Sequence, residues 1–353
     1  MKNIAQKVLF LLLIIFSSCS SIRRFTVEVQ EPAMITLPVS VKNVLIVNNA
    51  INQPINYGVE RNFNNKSVRD DYPISLDSLV WVAVNEISNA LGETDFFNKI
   101  AIYKEPIRSN NEWLTVSYLS PEQQREFYNL EDFNALLVIE RLFFNLKQDV
   151  KTIKFGATSY DPTVFSEIRV DGVITCSMYT YTKETPLTTF SLQDSLFSKL
   201  ILSNDSMVIF KHLPEYLLKD LSYNLGTGVA TCFLPVWKPV DRFLFVGQNP
   251  RMQEAAGYAA DHRWANAESI WIKQLENTNK PADKTKVAYN LAIANEMQDK
   301  FELALEWVAK AKGYFENANP DKYSREIELI DKYAIELGQR IQNNRLLDLQ
   351  WGR

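Results

Sequence analysis

The sequence predicts an α+β protein in two parts, a layered α/β domain at 41–245 and an all-α region of paired helices at 246–353. Three observations carry this expectation. Between Val41 and Phe144, short apolar runs alternate with amphipathic stretches in the order β-α-β-α-β, and strands buried on both faces lose their polar alternation in this way. From about Ser166 the period changes to β-branched and aromatic runs that suggest a hairpin. Beyond residue 246, alanines and aromatics recur 37 residues apart.

The chain opens differently. In "KVLFLLLIIFSSCSS" (Lys7–Ser21), the apolar run Val8–Phe16 is far shorter than the roughly 20 residues a membrane-spanning helix needs. With Lys2 and Lys7 ahead and small residues behind, residues 1–18 read as a secretory signal peptide. Its end, Phe16-Ser17-Ser18-Cys19, resembles a bacterial lipobox, although Phe16 stands where leucine is commoner. That resemblance implies cleavage before Cys19, acylation of Cys19, and the membrane as a partner through it. Each buried acyl CH₂ contributes about 0.8 kcal/mol, so two or three chains anchor stably where one is marginal. Residues 19–40, with Pro32 and Pro38, are expected to form a lipidated tether; Arg23 and Arg24 on it could touch anionic headgroups, but two charges are a weak signal and a solvated tether is favoured.

The elements then follow in order. "VKNVLIVNNA" (Val41–Ala50) reads as a buried strand, and the asparagine-rich stretch 52–74 as a long loop. A helix is expected from an N-cap at Ser75, with Leu76, Leu79, Val80, Ala83, Ile87, Ala90 and Leu91 on one face and Gly92 closing it. "KIAIYKE" (Lys99–Glu105) suggests a strand. Ser120-Pro121-Glu122-Gln123 suggests a capping box opening a second helix. "FNALLVIERLFF" (Phe133–Phe144) gives the next strand, "EIRVDGVITCSMYTYT" and "LTTFSLQDSL" the hairpin, and a helix runs from about Pro214 toward Cys232.

Composition bounds the function. Apolar residues make up 46% of the chain and charged residues 23%, values normal for a globular protein. The net charge of −4 and the lack of a lysine-arginine run speak against a nucleic-acid partner. With Cys19 acylated, Cys176 and Cys232 could pair in an oxidising envelope. Their apolar settings favour unpaired thiols acting as small hydrophobes.

In the last region, Ala255, Trp264, Ala267 and Trp271 return as Ala292, Phe301, Ala304 and Val308. This resembles the tetratricopeptide repeat, in which small residues mark the close approach of paired helices and an aromatic opens the second. "LAIANEMQDKFELALEWVAKA" (Leu291–Ala311) fits well; the earlier copy is looser, with Gln274 where Ala311 falls. A final helix at about 322–344 would cap the array. Two such repeats are too few to be stable alone, so they are expected to pack against the α/β domain. Tyr258, Trp264, Trp271, Phe301 and Trp307 are candidates either for the repeat core or for a groove receiving a peptide.

Signals for chemistry are weak. His212 and His262 have no partner at metal-ligand spacing, so no metal or cofactor is expected. Asp70-Asp71 read as a solvated charge pair, and "LGTGVA" (Leu225–Ala230) as a site of close helix contact, not a phosphate loop. No catalytic residue is expected.

The lipobox, the "VKNVLIVNNA" opening, the junction "RFLFVGQNPRMQEAAGYAADHRWANAESIW" and the repeat ending together resemble the Gram-negative envelope lipoproteins grouped as domain of unknown function 6340. The resemblance implies location and architecture, not a reaction. The α/β half also looks distantly like lipoprotein domains that activate peptidoglycan synthases or build secretion assemblies, a likeness of element order alone. The expectation is a non-enzymatic, lipid-anchored scaffold, in the outer membrane facing the periplasm, that binds another envelope protein through its repeats. The alternative is an accessory regulator of cell-wall synthesis or secretion acting through the α/β half.

Overall fold

The computed structural model of the chain describes residues 22–55, 57–63, 66–69, 74–107, 115–130, 132–153, 163–202, 215–317 and 321–352. These fall into two units. One comprises 33–235 with 349–353; the other joins the described part of 1–32 to 236–348. Cys19, Asp70, Asp71 and His212 lie outside the described residues.

The expected tether is not what 22–31 form. Strand β1 (Ile22–Glu31) belongs to the helical unit, where it pairs antiparallel with β9 (Val236–Phe245) over its full length. Phe25, Val27 and Val29 alternate with Arg24, Thr26 and Glu28, the period-two pattern of a half-buried strand. The two prolines lie beyond its end.

In the α/β unit, β2 (Asn43–Asn48) is flanked by β5 (Lys99–Ile102) and the nineteen-residue β6 (Ala135–Ile153), both parallel to it. The chain leaves β2 through α1 (Leu76–Gly92) to β5, then returns through α2 (Pro121–Leu130) to β6 on the far side. Helices on opposite faces explain the unbroken apolar runs. Val44, Ile46, Ala135, Leu137 and Ile139 join the core under α1, while Leu45, Val47, Leu136 and Val138 join that of Phe127 on α2. Each fully buried Leu, Ile or Val contributes about 1.5–3 kcal/mol.

Beyond β2, β6 continues and would expose its edge. The stretch read as a loop supplies β3 (Val59–Phe63), parallel to β6, with β4 (Lys66–Arg69) antiparallel outside it. The polar composition of 52–74 suits a solvated edge pair, which is why it reads as a loop. Between β2 and β3 the edge is filled by a side chain: Gln53 accepts from Phe144 N at 2.9 Å and donates to Phe144 O at 3.1 Å, as a strand residue would. Gly58, at φ +91°, passes so close that a Cβ there would meet Phe144 O.

On the other edge, β7 (Thr163–Thr180) and β8 (Thr188–Leu202) complete an antiparallel meander, and α3 (Glu215–Thr231) packs beside α1. Gly226 allows that contact, since a Cβ would lie 2.6 Å from Ala83 O. The Ser120–Gln123 capping box forms reciprocally, at 2.9 and 3.3 Å. Ser75 makes no side-chain cap; Asn52 Oδ1 accepts from Leu76 N instead. Cys176 and Cys232 are free, buried thiols.

In the helical unit, α4 (Pro250–Ala260) and α5 (Trp264–Glu276) pair, as do α6 (Pro281–Glu296) and α7 (Phe301–Glu316). Ala255, Ala267, Ala292, Ala304 and Ala311 are fully buried, as close helix packing requires. The last helix, α8 (Ser324–Trp351), extends beyond the expected 344. Among the described residues, no helix is long and apolar enough to cross a membrane.

Candidate functional site

Of the five aromatics singled out above, Trp271 is buried in the helical core and Tyr258, Trp264 and Trp307 pack against that same core. Phe301 is likewise buried. Tyr258, Trp264 and Trp307 are half-buried, and their rings meet Arg263, Phe25 and Lys310 respectively. His262 is exposed at φ 58° in the turn between α4 and α5.

The helices do hold an extended segment, and it is the chain's own. The β1–β9 ribbon lies on them: Arg23 donates to Ala256 O on α4, and Phe25 meets Trp264 on α5. Asn290 on α6 grips the backbone of Phe245 at two points, accepting from its N at 2.8 Å and donating to its O at 2.7 Å. Phe243 stacks on Tyr289, with centroids 4.6 Å apart. Arg242, 5% exposed, donates through Nε and Nη2 to Glu296 and through Nη1 to Glu336. Arg340 and the Tyr333 hydroxyl also donate to Glu296. The ribbon thus covers the apolar face that so short an array would otherwise expose.

This geometry settles what Glu296 can do. Burial by itself would raise its pKa, but the hydrogen bonds and charge of Arg242, with the charge of Arg340, hold it below the ordinary value of 4.5. Both oxygens are occupied, so the carboxylate locks structure and is poorly placed to accept a substrate proton.

In the α/β unit, β2 is the topological switch point, where open sheets place ligand crevices outside the carboxyl ends of their strands. A groove of about 290 Å³ lies on the β5 side of that strand, away from the β2–β6 crevice, lined by Asn48 at the end of β2, Tyr103 and Lys104 after β5, and Asp77, Val80 and Trp81 on α1. Trp81 is 45% exposed.

On the α2 side of the sheet, the β6 bulge between Ile139 and Arg141 sets Glu140 in a buried polar cluster. Asn49 Nδ2 donates to it at 2.8 Å and the Tyr179 hydroxyl at 3.4 Å. Burial pushes this carboxyl above its ordinary value, against hydrogen bonds from Asn49, Ser177 and Tyr179 that pull it down. Among the described residues, no three His, Cys, Asp or Glu side chains form a set that could hold a metal ion. Sequence reading missed Arg242, Asn290, Glu296 and Glu140. A carboxylate inside an apolar run, as in "LLVIERLFF", is the one local signal that could have flagged Glu140.

These features define a two-unit α+β protein with a doubly wound half-sheet and a ribbon-filled helical unit. The chain belongs to the family described as Domain of unknown function (DUF8603), whose model matches residues 41–245. A second model, Domain of unknown function (DUF6340), matches 253–339, and this is the family that the sequence resemblance named. No curated protein matches. Among solved structures, a neuraminyllactose-binding hemagglutinin homolog from Helicobacter pylori matches at 11% identity and a TM-score of 0.27, covering 58% of this chain and 91% of that one. A likeness that weak supports no argument about fold or binding.

Proposed function

We propose that the protein is a non-enzymatic, lipid-anchored envelope protein that binds a protein partner through the groove at the carboxyl ends of β2 and β5. The observation that carries this reading is a contrast in occupancy. The face of the repeats suited to an extended segment holds β1 and β9, whereas among the described residues the α/β groove is open and presents Trp81 beside Lys104. Tryptophan is among the residues enriched at interaction hot spots, and Trp81 is 45% exposed. The geometry therefore favours the α/β half over the repeats as the partner-binding part, with the helices serving as a base. The lipobox ending at Cys19 supports the anchor, and the lack of an aspartate after Cys19 favours the outer membrane.

The test is site-specific photocrosslinking in intact envelopes, with the probe at Trp81 or at Leu303 on α7. A discrete adduct from position 81 that is lost with Lys104→Glu supports the reading. An adduct from 303 alone transfers partner binding to the repeats.

A further inference from the structure

Strand β1 begins three residues after Cys19, and three residues span at most about 11 Å whatever path they take. Ile22 is itself fixed, opposite Phe245 in the ribbon, and Arg23 is bonded to Ala256 O. An acyl group on Cys19 therefore leaves the helical unit almost no freedom to stand away from the bilayer. Resting on the anchor reading above, we propose that the end of this unit where the ribbon starts lies against phospholipid headgroups, with Arg24, Arg251 and Lys286 turned to anionic lipid.

The chemistry of that end fits such a surface. Phe245 leads into a turn at Gly247 and then into α4, and a shallow groove of about 190 Å³ opens beside it. Val246, Met252 and Val287 give it an apolar floor, Lys286 lies at its rim, and Asp283 is the one carboxylate lining it. Arg24 and Arg251 are exposed and Lys286 is partly exposed; none is ion-paired among the described residues. Each basic residue close to an anionic surface strengthens attachment by about fivefold, and salt weakens it.

The acylated full chain, placed in phosphatidylethanolamine–phosphatidylglycerol vesicles with nitroxide-headgroup lipid, tests this. Because Cys176 and Cys232 are buried, a fluorophore can be directed to Gln248→Cys at this end or to Glu302→Cys beyond the far end of α6. The sixteen residues of α6 separate these ends by about 24 Å. Quenching should be several-fold stronger at 248 than at 302, and should fall with Arg251→Glu and Lys286→Glu combined or in high salt. Equal quenching at both positions, or stronger quenching at 302, overturns the assignment. The mass of the N-terminal peptide separates the two claims. Without acyl chains both the anchor and this surface fail; with them, equal quenching sinks the surface alone.

Discussion

Two buried glutamates respond to pH in opposite senses. Glu296 has a depressed pKa in the folded state, so its contribution is present above 4.5, the ordinary value, and is lost as the pH falls through its folded value. Glu296→Gln leaves the buried Arg242 with only the partly exposed Glu336 as counter-charge, and should cost about 3–5 kcal/mol at neutral pH by urea unfolding. Glu140 has a raised pKa. The native state therefore holds that proton more tightly than the unfolded chain, and stability falls as the pH rises above 4.5. Glu140→Gln should accordingly raise the urea midpoint at pH 8 and leave it nearly unchanged at pH 4; an equal shift at both would mean that burial of charge is not the cause. Glu140 leaves a local trace as a carboxylate in an apolar run, but the pairing of Glu296 is not legible in the sequence. Arg242 and Glu296 stand 54 residues apart, and no helical or strand period links positions so distant.

Among the elements, the ribbon departs furthest from the sequence expectation. Its two strands lie at opposite ends of the α/β sequence, Phe25 facing Arg242, so neither has a local partner to reveal it. Pro239 lies within β9 and is tolerated there because a strand with only one neighbour can spare an N–H. Asn290→Ala should cost about 1–3 kcal/mol by stranding the Phe245 backbone, and should speed amide exchange in both strands together. The contact of α1 with α3 was, by contrast, foreseeable from the glycines of "LGTGVA". Gly226→Ala should destabilise by about 1–3 kcal/mol because Ala83 O stands in the way. Gly257→Ala on α4, with nothing within 4 Å of the added Cβ, should gain about 0.5–1 kcal/mol. Equal thermal shifts for the two variants would refute the close-approach argument.

At the scale of the molecule, the boundaries between units do not follow the boundaries of composition. A fragment of 246–353 would omit both ribbon strands and strip Glu296 of Arg242, so it should melt without a cooperative calorimetric transition. The last residues of the chain belong with the α/β unit, where Gln350 accepts from Ala33 N, donates to Ala33 O and Thr36, and Trp351 packs edge-on to Phe96. Truncation after Asp348 should lower α/β stability by about 1–3 kcal/mol; an unchanged melt would show that this clamp carries no weight. Although β1, β3, β4 and β9 escape it, local pattern alone carries the helices, the central strands, the apolar face of each and the small residues that set the helix pairs. Those properties depend on neighbours within a turn or two, and any chain with these residues would express them. Long-range contacts turn 22–31 from a tether into a strand, set it beside β9 on the helices, and choose which carboxylates meet arginine. Such contacts bring together residues tens to hundreds of positions apart, and they are chosen by how buried charge and apolar surface can be satisfied at once.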